Sequence, residues 1–463
     1  MAAANTIING IRTAMKNCPD IMQIMASDAM THMFITELIS LYSMVYDSRV
    51  PGMCDYDAAE VLTAVHIGAL CGKNTWTELD FFMKNRQEWC FEHFPSMRRE
   101  GKTPSHDTLN RIFSKLDEEQ LQIAQTTFIQ ENIENLMKRY GCEKPEYNVT
   151  PLDGKVEKGT GRSYNEKAGG EVKDLQTLHI YDAATCTTIA AISIAEKTNE
   201  IPTAREFLEE MDTAVGKIFT GDAMHAQKLA TSIITEKGGD YCFGTKGNQK
   251  LLLQDAVDLF TPEIKAELKA NGFYRKTVEK AHGCIEVREY YTALMGTYSG
   301  INLEGWTNLN SITLCESTST PLHGGEPKKE SRYYMSSLVD PDVIPKVIRG
   351  HWTIESQLHE TMDKVFLCDA NTTMNWTSVN NLFSIFRVSL PMIYLAEPMV
   401  YGQSVKDVRH SLNDDFANSL RKLSWLFDPT LGEKIRSRVA EKFARLEMLR
   451  KRREERSQEA KAA

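Results

Sequence analysis

Apolar residues recur at three- and four-residue intervals through Ala58–Leu70 and again through Leu109–Leu116, the period of a helix with one buried face. That spacing predicts helix for most of residues 20–140. Within this stretch, Thr103-Pro-Ser-His-Asp-Thr-Leu-Asn-Arg-Ile-Phe113 reads as a helix start: Ser105 can accept a backbone N–H, and Asp107 lies at the positive end of the helix dipole. Asp117-Glu-Glu-Gln120 opens the next helix with an acidic first turn. Two helices across a short turn, with Ser, Thr, Asn and Arg on the leading face, satisfy what a helix-turn-helix reader of DNA requires, and Arg111 is its candidate contact. Plain caps account for the same residues, and the sequence leaves both readings open.

The period changes after Gly141. Thr177–Ile194 is rich in β-branched residues with a polar break in the middle, the pattern of a hairpin. A helix is expected over Ile201–Val215, with Pro202 in its first turn, then a strand Lys217–Gly221, a helix Ala226–Lys237 and a strand Asp240–Gly247. This alternation predicts an α/β fold with a mixed sheet. Strand signals over Cys284–Leu294, Leu309–Glu316 and Ser331–Leu338, between Gly- and Pro-containing loops, predict a β-rich insertion. Helical pattern resumes at Pro345, runs to about Leu395, and returns from Leu420 to the end.

Composition narrows the class. With 42% hydrophobic and 25% charged residues over 463 positions, the chain is an ordinary globular one with room for a large core. The ten Cys are scattered without a C-x-x-C pair, which argues against zinc and a disulfide framework and fits a reducing cytoplasm. The N-terminal Met-Ala-Ala-Ala-Asn-Thr lacks a signal-peptide pattern, and no uninterrupted apolar run suggests a membrane span. Net charge is −9, which counts against a polyanionic partner. From Lys434 to Lys461, however, eleven Lys/Arg face five Glu; that segment is expected to be a solvated or DNA-facing tail.

Three carboxylates stand in suggestive settings. Asp153 closes Tyr147-Asn-Val-Thr-Pro-Leu-Asp-Gly154, where a strand-like run meets a Gly turn, and Asp222 closes Lys217-Ile-Phe-Thr-Gly-Asp222 in the same way. A strand ending in Asp lifts its carboxylate onto the rim of a sheet, where a hard cation can bind it. In the helix expected over Pro345–Asp369, His351, Glu355 and His359 are four apart and form one stripe, with Asp363 at its edge. Three such carboxylates suffice for two Mg²⁺ ions about 3.5–4 Å apart, the arrangement phosphoryl chemistry uses. Taken singly, an Asp beside Gly is a turn more often than a ligand, and a Glu on a helix is more often a solvated residue.

The motifs in order change that balance. Leu152-Asp-Gly-Lys155, Gly221-Asp-Ala-Met-His225, Gly238-Gly-Asp-Tyr-Cys-Phe-Gly-Thr-Lys-Gly-Asn-Gln249, His282-Gly-Cys-Ile-Glu286 and His351-Trp-Thr-Ile-Glu355, followed by Leu358-His359 and Asp363, resemble bacterial insertion-sequence DDE transposases of the H-repeat-associated (ISAs-type) family. Pro104-Ser-His-Asp-Thr-Leu-Asn-Arg111 is similar to that family's N-terminal associated region. The resemblance spans about residues 34–395. It implies a ribonuclease-H-like mixed-sheet core over 143–400 with a β-rich insertion at about 265–342. A helical, possibly DNA-binding region over 1–142 and a helical basic tail over 401–463 would flank it.

By matched motif, Asp153, Asp222 and Glu355 are implied to be the catalytic and metal-binding triad, holding two Mg²⁺ with Mn²⁺ as a substitute. The implied reaction is strand cleavage at transposon ends followed by transfer into target DNA, by a cytoplasmic, nucleoid-associated protein acting as a homodimer on duplex DNA. Lys155, Lys246, Asn248, Gln249, His351 and His359 are candidate DNA contacts or supports of the ligands. Cys284 stands where the family shows Arg, and Ile348, His351 and Met362-Asp363 stand where related transposases carry Tyr, Arg and Lys. A nuclease without integration activity and an inactive DNA-binding relative are the alternative expectations.

Overall fold

The computed structural model describes residues 6–17, 28–161, 173–194, 199–281, 283–298, 300–400, 402 and 404–462. Of the positions used in the sequence arguments, residues 1–5, Cys18, residues 20–27 of the expected helical stretch and His282 lie outside the described residues.

The chain opens with helices α1 (Thr6–Lys16), α2 (Asp28–Tyr42), α3 (Ala58–Leu70), α4 (Trp76–Lys84), α5 (Gln87–His93), α6 (Pro95–Glu100), α7 (His106–Phe113) and α8 (Glu118–Tyr140). Strands β1 (Asn148–Glu157), β2 (Leu175–Asp182) and β3 (Thr187–Ser193) follow, then α9 (Glu200–Glu210), β4 (Lys217–Gly221), α10 (Lys228–Glu236) and β5 (Asp240–Thr245). Two helices, α11 (Lys250–Leu259) and α12 (Pro262–Ala270), lead into β6 (Tyr274–Ala281), β7 (Cys284–Leu294), β8 (Ser311–Pro321) and β9 (Lys328–Ser336). The rest is helical: α13 (Ile344–His351), a π-helical segment Ile354–His359, α14 (Glu360–Lys364), α15 (Trp376–Ala396), α16 (Val405–Asp414), α17 (Phe416–Leu426) and α18 (Gly432–Ala462).

Among the described residues all strands join one mixed sheet in the order β3-β2-β1-β4-β5-β9-β8-β7-β6. β3, β2 and β1 are antiparallel, whereas β1, β4 and β5 run parallel. The hairpin, the two short strands and the helices between them agree with the sequence pattern. The β-rich insertion does more than interrupt the core: β9 returns antiparallel to β5, so the insertion continues the sheet across that edge and leaves β5 no free side. β1 extends past Gly154 to Glu157, so the expected turn at Asp153-Gly154 is absent. Pairing explains the length: the first half of β1 pairs with β4 and the second half, from Leu152 onward, with β2. Pro151, which has no N–H to give a ladder, precedes the β2 register.

Packing separates three cores. α9 and α10 cover one face of the sheet through Leu152, Ala204, Leu208, Phe219 and Ile234. α13 covers the other face through Val149, Ile218, Val347 and Ile348. The largest core joins α1–α8 to α15 and the C-terminal helices. Here α3 departs from its expected single buried face: every residue from Ala59 to Leu70 is buried, because α2, α4 and α15 all pack around it. α15 has the length and hydropathy of a membrane span, but 94% of that apolar window is buried inside the protein; it is the axis of the helical core.

α18 also differs from the expected solvated tail. It lies along α8 and α2, and its cations meet carboxylates of this same chain. Arg450 Nη2 is 2.8 Å from Asp117 Oδ1 and 2.8 Å from Glu119 Oε2, while Arg453 pairs with Glu119, Glu206 and Glu210. Lys434 and Arg438 converge on buried Glu131. Most arginines of the basic segment are thereby paired within the chain, and the pairs of Arg453 link the helical region to α9.

Candidate active site

The parallel pairing of β1 and β4 sets Leu152 opposite Gly221, so the next residues, Asp153 and Asp222, stand side by side where the two strands part. Asp222 is exposed just beyond β4, and Asp153 is partly covered. Glu355 approaches from the π-helical segment on the face that α13 covers, with its side chain exposed. Burial, followed by the charges of Glu355, Glu200 and Asp222, pushes the Asp153 carboxyl up to about 7. Burial and the charge of Asp222 raise Glu355 as well. Like charges held this close favour protonation unless a cation joins them. The donor set, three carboxylates on one rim, is the hard-oxygen set that Mg²⁺ and Mn²⁺ prefer. The tighter acidic group among the described residues is a different one, Glu157, Asp363 and Asp369, whose oxygens lie within 4.8 Å of one another.

The π turn shapes this side of the site. The Glu360 N–H donates to the Glu355 carbonyl, five residues back, so the turn is wider than an α-turn. The continuous α-helix expected over Pro345–Asp369 is therefore broken, and it ends at Lys364, short of Asp369. Glu355 and His359 still share a side. His359 Nδ1 lies 3.5 Å from Asp153 Oδ2, and its Nε2 is 3.0 Å from Nδ1 of buried His179. Burial lowers His359 to about 3, so the ring is neutral, held by His179 and lying in close contact with Asp153. His351 is turned towards β4, with Nδ1 3.1 Å from Thr220 Oγ1, and burial lowers it to about 4.

The other residues expected at the site divide by position. Lys246 is exposed, with Nζ 3.2 Å from Asp222 Oδ2. Asn248 Nδ2 donates to the Ala223 carbonyl at 2.7 Å, and Gln249 Nε2 donates to the carbonyls of Ala223 and Ala226, each at 2.8 Å. Both amides thus tie down the turn that follows Asp222. Lys155 points inward: its ammonium lies 2.6 Å from Asp363, 3.4 Å from Asp369 and 3.5 Å from Glu157. Arg111 is not brought to the site. It is exposed on α7 and donates to Thr108 at 3.2 Å, and that helix packs on α4 and α15. Ser105 and Asp117 cap α7 and α8 as their sequence predicts, while Asn110 accepts from Ser378 of α15 and faces inward.

Two features escaped the sequence reading. Glu200 opens α9 and lies over Gly154 so closely that a Cβ on that glycine would be 2.1 Å from Glu200 Oε1; its other oxygen is 3.4 Å from Nε2 of buried His225. An acid in a first helical turn is the ordinary dipole preference, so nothing in the sequence marked it out. Beside Glu355, a groove of about 650 Å³ opens between α13, the π turn and strands β7–β9; its walls include Arg288, Arg332, Arg349, Trp352 and Ser317. Arg332 lies 4.8 Å over the Trp352 ring. Arg332 comes from β9, the strand that precedes α13, and the pairing of β9 with β5 sets that strand in the sheet beside the site.

The chain matches known families along most of its length. The family described as "Transposase DDE domain" matches residues 144–386, and the one described as "DDE_Tnp_1-associated" matches residues 39–129. A "Putative transposase YncI" of Escherichia coli O157:H7 is 24% identical over 82% of this chain and 93% of that protein. An "H repeat-associated putative transposase YhhI" of Escherichia coli strain K12 is 26% identical over 72% of this chain and 84% of that protein. Among solved structures, a piggyBac transposase synaptic complex with hairpin DNA covers 91% of this chain and 86% of its own at 13% identity, with a TM-score of 0.33, a likeness too slight to bear on the fold.

Proposed function

The chain belongs to the transposase DDE domain family and is a DNA transposase, and on that premise we propose that Asp153, Asp222 and Glu355 are its catalytic triad. The observation that carries the assignment is the register Leu152↔Gly221, which puts the two aspartates side by side with the π-turn glutamate facing them. We further propose that the core is ribonuclease-H-like. The strand order β3-β2-β1-β4-β5, with its antiparallel and parallel halves meeting at the strand that bears Asp153, supports this.

The three carboxylates would hold two Mg²⁺, or Mn²⁺ in their place, and the ions would supply activation of the attacking oxygen and stabilisation of the leaving one. This chain's own residues do the rest. His359, backed by His179, orients Asp153; Asn248 and Gln249 hold the turn that carries Asp222; the π turn presents Glu355. Lys246 is exposed beside Asp222, and Arg332 and Arg349 line the groove beside Glu355, where phosphates of the DNA strand entering the site would compete with Glu330 and Glu279, the partners these arginines hold in the free protein. They offer cationic groups near the position where His351 replaces the family's Arg. The chemistry is two successive phosphoryl transfers. Water attacks a phosphodiester at the element's end and the 3′ oxygen leaves as a hydroxyl; that hydroxyl then attacks a target phosphodiester and displaces the target's own 3′ oxygen. Duplex DNA of the bacterial nucleoid is the partner, and joining two ends in one event favours a homodimer.

Glu355→Gln preserves shape while removing a ligand charge. It is expected to abolish Mg²⁺-dependent cleavage of a labelled duplex carrying the element's terminal repeats, while leaving binding of that duplex intact. Retained cleavage would remove Glu355 from the triad. Joining of the wild-type cleavage product to a plasmid separates a transposase from a nuclease that only cuts.

A further inference from the structure

The cluster of Lys155 with Glu157, Asp363 and Asp369 lies behind the triad and plays no part in the chemistry above. Its lysine side chain is 7% exposed and Glu157 is 1% exposed. The three acids come from separate elements: Glu157 from the end of β1, Asp363 from α14, and Asp369 from the turn before α15. Three carboxylates within 4.8 Å of one another have the composition of a cation cradle, and the lysine ammonium already fills it. The ammonium lies 2.6 Å from Asp363, 3.4 Å from Asp369 and 3.5 Å from Glu157. Asp369 has a second hold on β1's end, since its Oδ1 accepts from the Lys158 N–H at 3.2 Å. The backbone is close there too: a Cβ on Gly159 would lie 2.8 Å from the Asp369 carbonyl oxygen.

The connectivity gives this cluster its meaning. Lys155 is two residues beyond Asp153 on the same strand, and Asp363 lies on α14, which continues directly from the π turn bearing Glu355 and His359. We infer that Lys155 is a positioning residue of the metal site: its 2.6 Å ion pair with Asp363 fixes the segment bearing Glu355 against the strand bearing Asp153. The pair is largely covered and charge-assisted, so it holds one geometry, unlike an exposed pair that samples many. This inference rests on the triad assignment. It also gives Lys155 of the Leu-Asp-Gly-Lys motif a task inside the protein instead of on the DNA backbone.

The test is direct Mn²⁺ binding, followed by electron paramagnetic resonance on the full chain without DNA, for wild type, Lys155→Arg, Asp363→Asn and Glu355→Gln. Asp363→Asn removes the link to the Glu355 segment while Lys155 keeps Glu157 and Asp369, so it leaves no buried charge without a partner. It is expected to weaken Mn²⁺ binding about tenfold or more, the range for residues that orient metal ligands, while the metal-free unfolding midpoint changes little. Lys155→Arg is expected to retain most of the affinity. Unchanged Mn²⁺ affinity in Asp363→Asn, alongside weakened binding in Glu355→Gln, would overturn the positioning role and leave the triad standing. Unchanged affinity in both would overturn the triad and this inference with it.

Discussion

Asp153 concentrates the electrostatics of the site in one residue. An unfolded aspartate has a pKa of about 3.9, whereas burial and the charges of Glu355, Glu200 and Asp222 push this one to about 7 in the folded, metal-free protein. Between those values the native state holds more protons than the unfolded state. The stability tied to Asp153 is therefore complete below pH of about 4 and is lost as pH rises through about 7. A divalent cation binds the ionised form and competes with that proton. Metal binding near pH 6 is expected to release about one proton, and near pH 8.5 almost none. Calorimetric titrations of Mn²⁺ in buffers of different ionisation enthalpy count those protons. Equal release at the two pH values would mean that Asp153 is not the group being displaced. At this scale the sequence was informative about the proposed triad through motif order, and silent about Glu200, His225 and His179, whose roles depend on strand register and on how closely α9 approaches Gly154. For Lys155 the sequence suggests a phosphate contact, whereas the three acids that surround it come together only in the fold.

Among the elements, the short segment Lys246–Gln249 between β5 and α11 holds the turn after β4. Its two amides make three hydrogen bonds to carbonyls of that turn, and Asp222 sits at the turn's start. Replacing Asn248 and Gln249 together by Ala leaves those carbonyls dependent on water. At about 1 kcal/mol per bond, the double variant is expected to lose about 2–3 kcal/mol of stability. Its cleavage rate at saturating Mg²⁺ should fall by more than that of an Asn248→Ala variant, because Gln249 alone still fastens the turn in the single variant. A denaturant midpoint and a single-turnover rate test this together; a fall in stability without a fall in rate would reduce the pair to scaffolding. Element type was largely readable, since hairpin, strand and capped helix each leave a period or a cap in the chain. The π turn was not, because widening one turn changes no residue type and keeps His351, Glu355 and His359 on an apparently regular stripe. Nor was the union of β9 with β5, a pairing between residues about ninety positions apart that no local pattern encodes.

Across the whole molecule, α8 and α15 pack the helical body on β3, and α18 adds ion pairs between that body and α9. Beyond Leu446 the described side chains of α18 include no buried residue, so its last turns are held by ion pairs. Arg450 bridges Asp117 and Glu119, Arg453 bridges Glu119, Glu206 and Glu210, and Arg456 reaches Glu209. The sequence could announce the excess of cations there but not their partners, because those acids are spread over α8 and α9 and gather only in the folded chain. Partly exposed pairs contribute about 0.2–1 kcal/mol each and weaken as salt screens them. Truncation after Glu447 is therefore expected to lower stability by about 1–3 kcal/mol in dilute buffer, with most of the difference gone at ~0.5 M NaCl. The two readings of this helix also separate on DNA. A helix serving as a DNA-facing tail would take several phosphate contacts with it on truncation, flattening the dependence of binding on salt. A helix whose arginines are already committed to Glu119, Glu206 and Glu210 would leave that slope unchanged. An unchanged slope with a salt-sensitive loss of stability is the outcome expected from the ion pairs; a flattened slope would return the helix to the DNA.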